Sequence, residues 1–181
     1  MAICKNGHKI SLLVEGYPRI GFQTFSKVIN SGSKGICITR LHPDYVSEKY
    51  GLSACKRYWL SGCKGMDVLS PKMLGHITKV IKASIAEERN RVVFMDGLEY
   101  LLLYNDLAKV LAFLNEVDTI LSKFESEMVV SIDPLTFENK DLEKLFASYP
   151  RCGPEEMMMT LLTPQPQQSV SASPESAGQT I

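Results

Sequence analysis

The stretch Leu12-Leu13-Val14-Glu15-Gly16-Tyr17-Pro18-Arg19-Ile20-Gly21-Phe22-Gln23-Thr24-Phe25 joins an apolar run to a helical one through a loop bracketed by two glycines. Segment 9–15 is a strand buried on both faces by its near-continuous apolar character, and 18–31 sets Phe22, Phe25, Val28 and Ile29 on one helical face before Ser31-Gly32 ends it. Strand, glycine loop and helix form the context of a phosphate-binding loop, G-x-x-x-x-G-K-[ST], and Gly16 and Gly21 have its spacing. Phe22 stands where the lysine belongs, and Gln23 where the hydroxyl belongs. The lysine pairs with the β- and γ-phosphates and the hydroxyl completes a magnesium shell. A phenyl ring can do neither. Arg19 inside the loop and Thr24 one position late are the substitutes the segment offers.

The same alternation continues outward. Apolar segments 35–39, 57–61, 91–96 and 127–133 read as further buried strands. Helical spacing covers 43–50, 70–88, 106–123 and 139–148, with Ser70-Pro71 and Asp106 as starts and Gly51 and Pro150 as stops. Strands alternating with helices of this length predict an α/β fold. Its sheet is mainly parallel, five-stranded or slightly larger, with helices on both faces as a three-layer sandwich. The strand Arg91-Val-Val-Phe-Met-Asp96 ends in a carboxylate, expected at the carboxyl end of a parallel strand next to the loop after the first strand.

Composition narrows the function classes. The chain has 181 residues, 20 basic and 20 acidic, and net charge zero. Residues 1–149 are +2 and residues 150–181 are −2. Neither value draws the chain to nucleic acid or to an anionic membrane. No run approaches the roughly 20 apolar residues of a membrane span, and the N-terminus lacks a secretory apolar core, so a cytoplasmic protein is expected. Cys4, Cys37, Cys55, Cys63 and Cys152 form no C-x-x-C and have no zinc register with His8, His42 or His76, which implies reduced, structural thiols. Residues 1–149 read as one domain. From 150 the Pro/Gln/Ser-rich composition predicts a disordered tail, with Met157-Met158-Met159-Thr160-Leu161-Leu162 packing back on the domain or docking on a partner.

Other chemistry-bearing residues have structural readings. Glu99 opens a helix, Asn105-Asp106 caps the next one, Tyr58 and Trp59 belong to the core or stack a ligand, and His42-Pro43 starts a helix.

Taken together, the glycine spacing of Leu12–Thr24, the lead-in Ser31-Gly32-Ser33-Lys34-Gly35-Ile36-Cys37-Ile38-Thr39 and the strand Val92–Asp96 resemble the layout of RecA/KaiC-like ATPases. Residues 9–146 more closely resemble the archaeal domain-of-unknown-function family 835, through Gly35–Pro43, Tyr58–Ser61, Met95–Leu101, Tyr104–Asp106 and Ile132–Pro134. That family is often found beside sensor modules. The ATPase resemblance implies acidic residues after the second strand, but the chain carries Thr39-Arg40-Leu41-His42-Pro43 there. With lysine, hydroxyl and base absent, the expectation is a non-catalytic, signalling-associated interaction domain on a RecA-like core with a degenerate P-loop. It has no catalytic residue, metal or cofactor. Its partner is a protein: a second copy, an active RecA/KaiC-like ATPase or a sensor. The alternative is a nucleotide-binding or weak ATPase domain that holds ATP and magnesium through Gly16, Arg19, Gly21, Thr24 and Asp96.

Overall fold

The computed structural model describes residues 7–87 and 91–162. Seven strands form one sheet in which every pairing is parallel: β1 (Ile10–Val14), β2 (Gly35–Thr39), β3 (Lys56–Leu60), β4 (Val68–Leu69), β5 (Val92–Asp96), β6 (Glu127–Ile132) and β7 (Arg151–Cys152). Their order is β4-β3-β2-β5-β6-β1-β7. The central strands β2 and β5 are buried along their whole length. Parallel strands covered on both faces need this composition, because neither side alternation can meet water.

Helices divide between the two faces. On one side α1 (Arg19–Asn30), α2 (Pro43–Tyr50) and α7 (Pro154–Leu162) pack with Leu13, Cys37, Phe94 and Val129 around Phe22, Phe25 and Met157. On the other, α3 (Leu74–Glu87), α4 (Leu98–Leu102), α5 (Leu107–Lys123) and α6 (Asn139–Ser148) enclose Leu12, Ile36, Ile38, Met95 and Val130. Each fully buried Leu, Ile or Phe contributes about 1.5–3 kcal/mol, so the two apolar layers hold the sheet rigid and fix where its strand ends stand. Asp106 caps α5 by accepting from the Lys109 amide at 2.9 Å, and His42 precedes α2 and accepts from the Asp44 amide at 3.3 Å. Both agree with the capping chemistry in the sequence. None of the described helices is long and apolar enough to cross a membrane.

Three boundaries differ from expectation. The helix expected over 70–88 begins at Leu74, because Ser70 closes a turn through its carbonyl and hydroxyl instead of capping. Strands β4 and β7, two residues each, are too short for periodicity to reveal. The disordered tail does not start at 150. The Leu12 amide donates to the Pro150 carbonyl at 2.8 Å, β7 extends the sheet beside β1, and α7 packs on α1 with Met157 and Leu161 buried. The methionine cluster supplies the apolar area that orders this segment. The rest of the expected tail, 163–181, lies outside the described residues, as does Cys4. Cys37, Cys55 and Cys63 are free thiols.

Candidate functional site

In an open parallel sheet, ligands enter beyond the carboxyl ends of strands where neighbouring connections leave toward opposite faces. Two such boundaries exist here. β1 and β2 lead into α1 and α2 on one face, whereas their neighbours β6 and β5 lead to α6 and α4 on the other. Both boundaries carry buried polar side chains: Glu15 and Ser131 at β1/β6, Thr39 and Asp96 at β2/β5.

Glu15 decides what the first boundary can hold. Helix α1 begins after Pro18, which makes no side-chain cap, and its first turn contains no acidic residue. Its free amides therefore need an acceptor from elsewhere. The Glu15 carboxylate fills that role. Ile20 donates to Oε2 at 2.9 Å, Gly21 donates to both oxygens at 3.1 Å, and the Ser131 hydroxyl donates to Oε1 at 2.7 Å. A carboxylate of this chain thus sits where a helix N-terminus would bind a phosphate. Burial pushes the Glu15 pKa up, opposed by the hydrogen bonds from Ser131, Gly21 and Ile20.

Gly21 is a requirement of this arrangement. A Cβ there would stand 2.5 Å from Glu15 Oε1 and 2.7 Å from Phe94 Cζ. Gly16 faces open space and has no such constraint. Only one of the two spaced glycines is therefore explained by packing, and it lies in the first turn of α1, not in a loop. Phe22 is fully buried, stacked on Tyr50 at 4.9 Å and edge-on to Phe94 at 5.0 Å. The lysine position of the motif is thus a core position.

At the second boundary the Thr39 hydroxyl donates to Asp96 Oδ2 at 3.0 Å and accepts from the Leu41 amide at 3.0 Å. Arg40 Nε lies 3.1 Å from Glu99 Oε1 and 3.9 Å from Asp96 Oδ1. Asp96 is 3% exposed, and burial raises its pKa from 3.8 to about 6, with Arg40 opposing and Glu99 adding to the rise. Gly97, at φ 109°, turns the chain directly from Asp96 into α4, a left-handed conformation that favours glycine.

The structure separates the residues that the sequence grouped. Asp96 does not adjoin the β1 loop: β6 lies between, and Asp96 pairs in register with Ser131. Arg19, at the start of α1, lines a groove between α1 and α2, and the cation beside Asp96 is Arg40. Thr24 is buried within α1. Trp59 is half-buried, its indole N–H donating to the Arg40 carbonyl at 3.2 Å and its ring edge-on to His42 at 4.9 Å. Glu99 opens α4 as expected and also pairs with Arg40. The residues that sequence reasoning missed are Glu15, Thr39 and Ser131. A carboxylate just before a proline-started helix with no acid in its first turn was the available signal for Glu15. The anion seat at α1 is filled by Glu15, and among the described residues no three His, Cys, Asp or Glu side chains group as a metal shell.

Residues 19–147 match the family described as "Protein of unknown function (DUF835)". That span starts just after Glu15. No curated protein matches the chain. Among solved structures, one chain of the Drosophila ORC bound to AT-rich DNA and Cdc6 is 16% identical with a TM-score of 0.38. The match covers 82% of this chain and 48% of that one, so the protein spans about half of its length. At that TM-score the likeness carries no argument about function.

Proposed function

We propose, from the premise that the chain belongs to the DUF835 family of proteins of unknown function, that it is a non-catalytic regulatory domain acting through protein contacts on a RecA-like core. The reading includes descent from a P-loop ATPase that gave up nucleotide turnover, no catalytic residue, no cofactor and a cytoplasmic setting. One observation carries it: the Glu15 carboxylate accepts from Ile20, Gly21 and Ser131 at the head of α1. A γ-phosphate seated there would meet a fixed negative charge instead of a lysine, and phosphoryl transfer would lose positioning and charge stabilisation together. Phe22, packed between Tyr50 and Phe94, supports the same conclusion.

In this reading the partner is a protein, either a second copy of the chain, an active ATPase of the RecA/KaiC group or a sensor, and neither nucleic acid nor membrane. Isothermal calorimetry of the full chain with ATP and magnesium tests the central part. The expected result is no binding heat up to millimolar nucleotide, where affinity corresponds to only about 4 kcal/mol. Saturable heat that Asp96→Ala abolishes would favour the weak-ATPase reading. Light scattering across a concentration series tests self-association, and a rise in mass with concentration is the expected result for a second copy.

A further inference from the structure

We infer that the groove between α1 and α2 is a docking site for an acidic segment of a partner protein, an inference that rests on the interaction-domain reading and names the chemistry of the partner. The groove holds about 490 Å³ and is lined by Arg19, Gln23, Ser26, Lys27, Lys49 and Tyr50, three cations and no carboxylate. Arg19, Gln23 and Lys27 recur at four-residue steps, so they form one stripe along about 12 Å of α1. A single phosphate would span only one turn of that stripe, whereas a chain with spaced carboxylates matches its length.

The cations differ in how they are held. Arg19 and Lys27 are exposed and carry their charge toward solvent. Lys49 is exposed as well, but its ammonium donates to the Tyr45 hydroxyl and lies 5.0, 5.6 and 5.9 Å from the ring centres of Tyr45, Tyr50 and Tyr17. That restraint lowers the entropy lost when an anion is bound. Tyr50, on the groove wall, is 8% exposed, and its buried hydroxyl makes no hydrogen bond. Beside the cations stand Tyr17 at 47%, Tyr45 at 42% and Ile20 at 40% exposure. Exposed tyrosines next to arginine are the residue types that anchor protein interfaces. Together they select a segment with carboxylates facing the α1 stripe and an apolar side chain against the tyrosines.

The test is an NMR titration of the ¹⁵N-labelled full chain with a fluorescein-labelled peptide of Glu-Glu-Leu-Glu repeats, with the all-lysine analogue as control. Fluorescence anisotropy supplies affinities. The acidic peptide should shift the amides of Gln23, Ser26, Lys27 and Lys49, and the lysine peptide should not. Arg19→Gln and Lys27→Gln should each weaken binding about two- to fivefold, with a shallower salt dependence. Lys79→Gln with Lys82→Gln, which removes twice the charge of either groove variant from α3 on the other face, should leave binding unchanged. Loss of binding in that control, or no shift at the groove in low salt, overturns the inference. Shifts produced equally by inorganic phosphate would make the groove a small-anion site. A concentration-dependent mass that Lys27→Gln abolishes would assign it to a second copy. Either result also overturns the inference. These outcomes leave the non-catalytic reading standing, which fails if ATP shifts Ile20 and Gly21 or gives saturable heat that Asp96→Ala abolishes.

Discussion

Replacing Asp96 by Asn should stabilise the protein at neutral and alkaline pH. Asp96 is buried at the end of β5, and its pKa rises from 3.8 to about 6 because burial disfavours the charged form. A carboxyl raised on folding binds its proton more tightly in the folded state. Its favourable contribution is therefore fully present below the unfolded value and is lost as pH climbs through the folded one. Between about pH 4 and pH 6 the loss amounts to about 3 kcal/mol at 1.36 kcal/mol per unit, and it persists above pH 7. Asparagine has the same shape and keeps an oxygen for the Thr39 hydroxyl, now at 3.0 Å. It forgoes the attraction to Arg40, which lies 3.9 Å away with 40% of its side chain exposed, an opposing effect already contained in the raised value. The expected net gain at pH 8 is about 2–3 kcal/mol, a rise of about 5–10 °C in Tm. Urea denaturation from pH 5 to pH 8 measures it, and the pH slope of the variant should be flatter than that of the parent. If Asp96→Asn is less stable at pH 8, or keeps the parent slope, Asp96 is held ionised by partners, and the account of the second boundary is wrong.

Gly21→Ala should cost about 1–3 kcal/mol despite the better helix propensity of alanine, because its Cβ would meet Glu15 and Phe94 at 2.5 and 2.7 Å. Gly16→Ala, in open space, should stay within about 0.5 kcal/mol in the same urea titration. Phe22→Lys, which restores the motif's lysine, should cost at least about 4 kcal/mol by emptying an aromatic stack and burying a charge, and calorimetry should find no gain of ATP binding. Met157→Ala and Leu161→Ala should each lower stability by about 2–4 kcal/mol in thermal unfolding, since both are buried against α1. A change near zero there would return the domain boundary to Pro150.

The local elements were legible because their signals are local. Leu12–Leu13, Ile36–Ile38 and Val92–Met95 are continuous apolar runs that read as doubly covered strands, and Asp106 and His42 carry their caps within three residues. That Phe22 and Gln23 stand where a phosphate loop has its lysine and hydroxyl was legible for the same reason. The site was not, because it is assembled across the sheet. Glu15 meets Ser131 from 116 residues away, and only the insertion of β6 between β1 and β5 brings them together. That insertion is set by helix packing on opposite faces, which no window of sequence contains. Glycine spacing misled in a definite way. Gly21 is glycine so that a carboxylate and a phenyl ring can approach the helix, and the same spacing in a phosphate loop answers to a ligand.

The central claim is that the anion seat at the head of α1 belongs to Glu15. An NMR titration of the ¹⁵N-labelled chain with ATP and magnesium, and with pyrophosphate, reads that seat through the amides of Ile20 and Gly21, which donate to Glu15 at 2.9 and 3.1 Å. The account predicts that both resonances stay in place up to millimolar ligand. A saturable shift of either one would mean that phosphate displaces the carboxylate, and would contradict it.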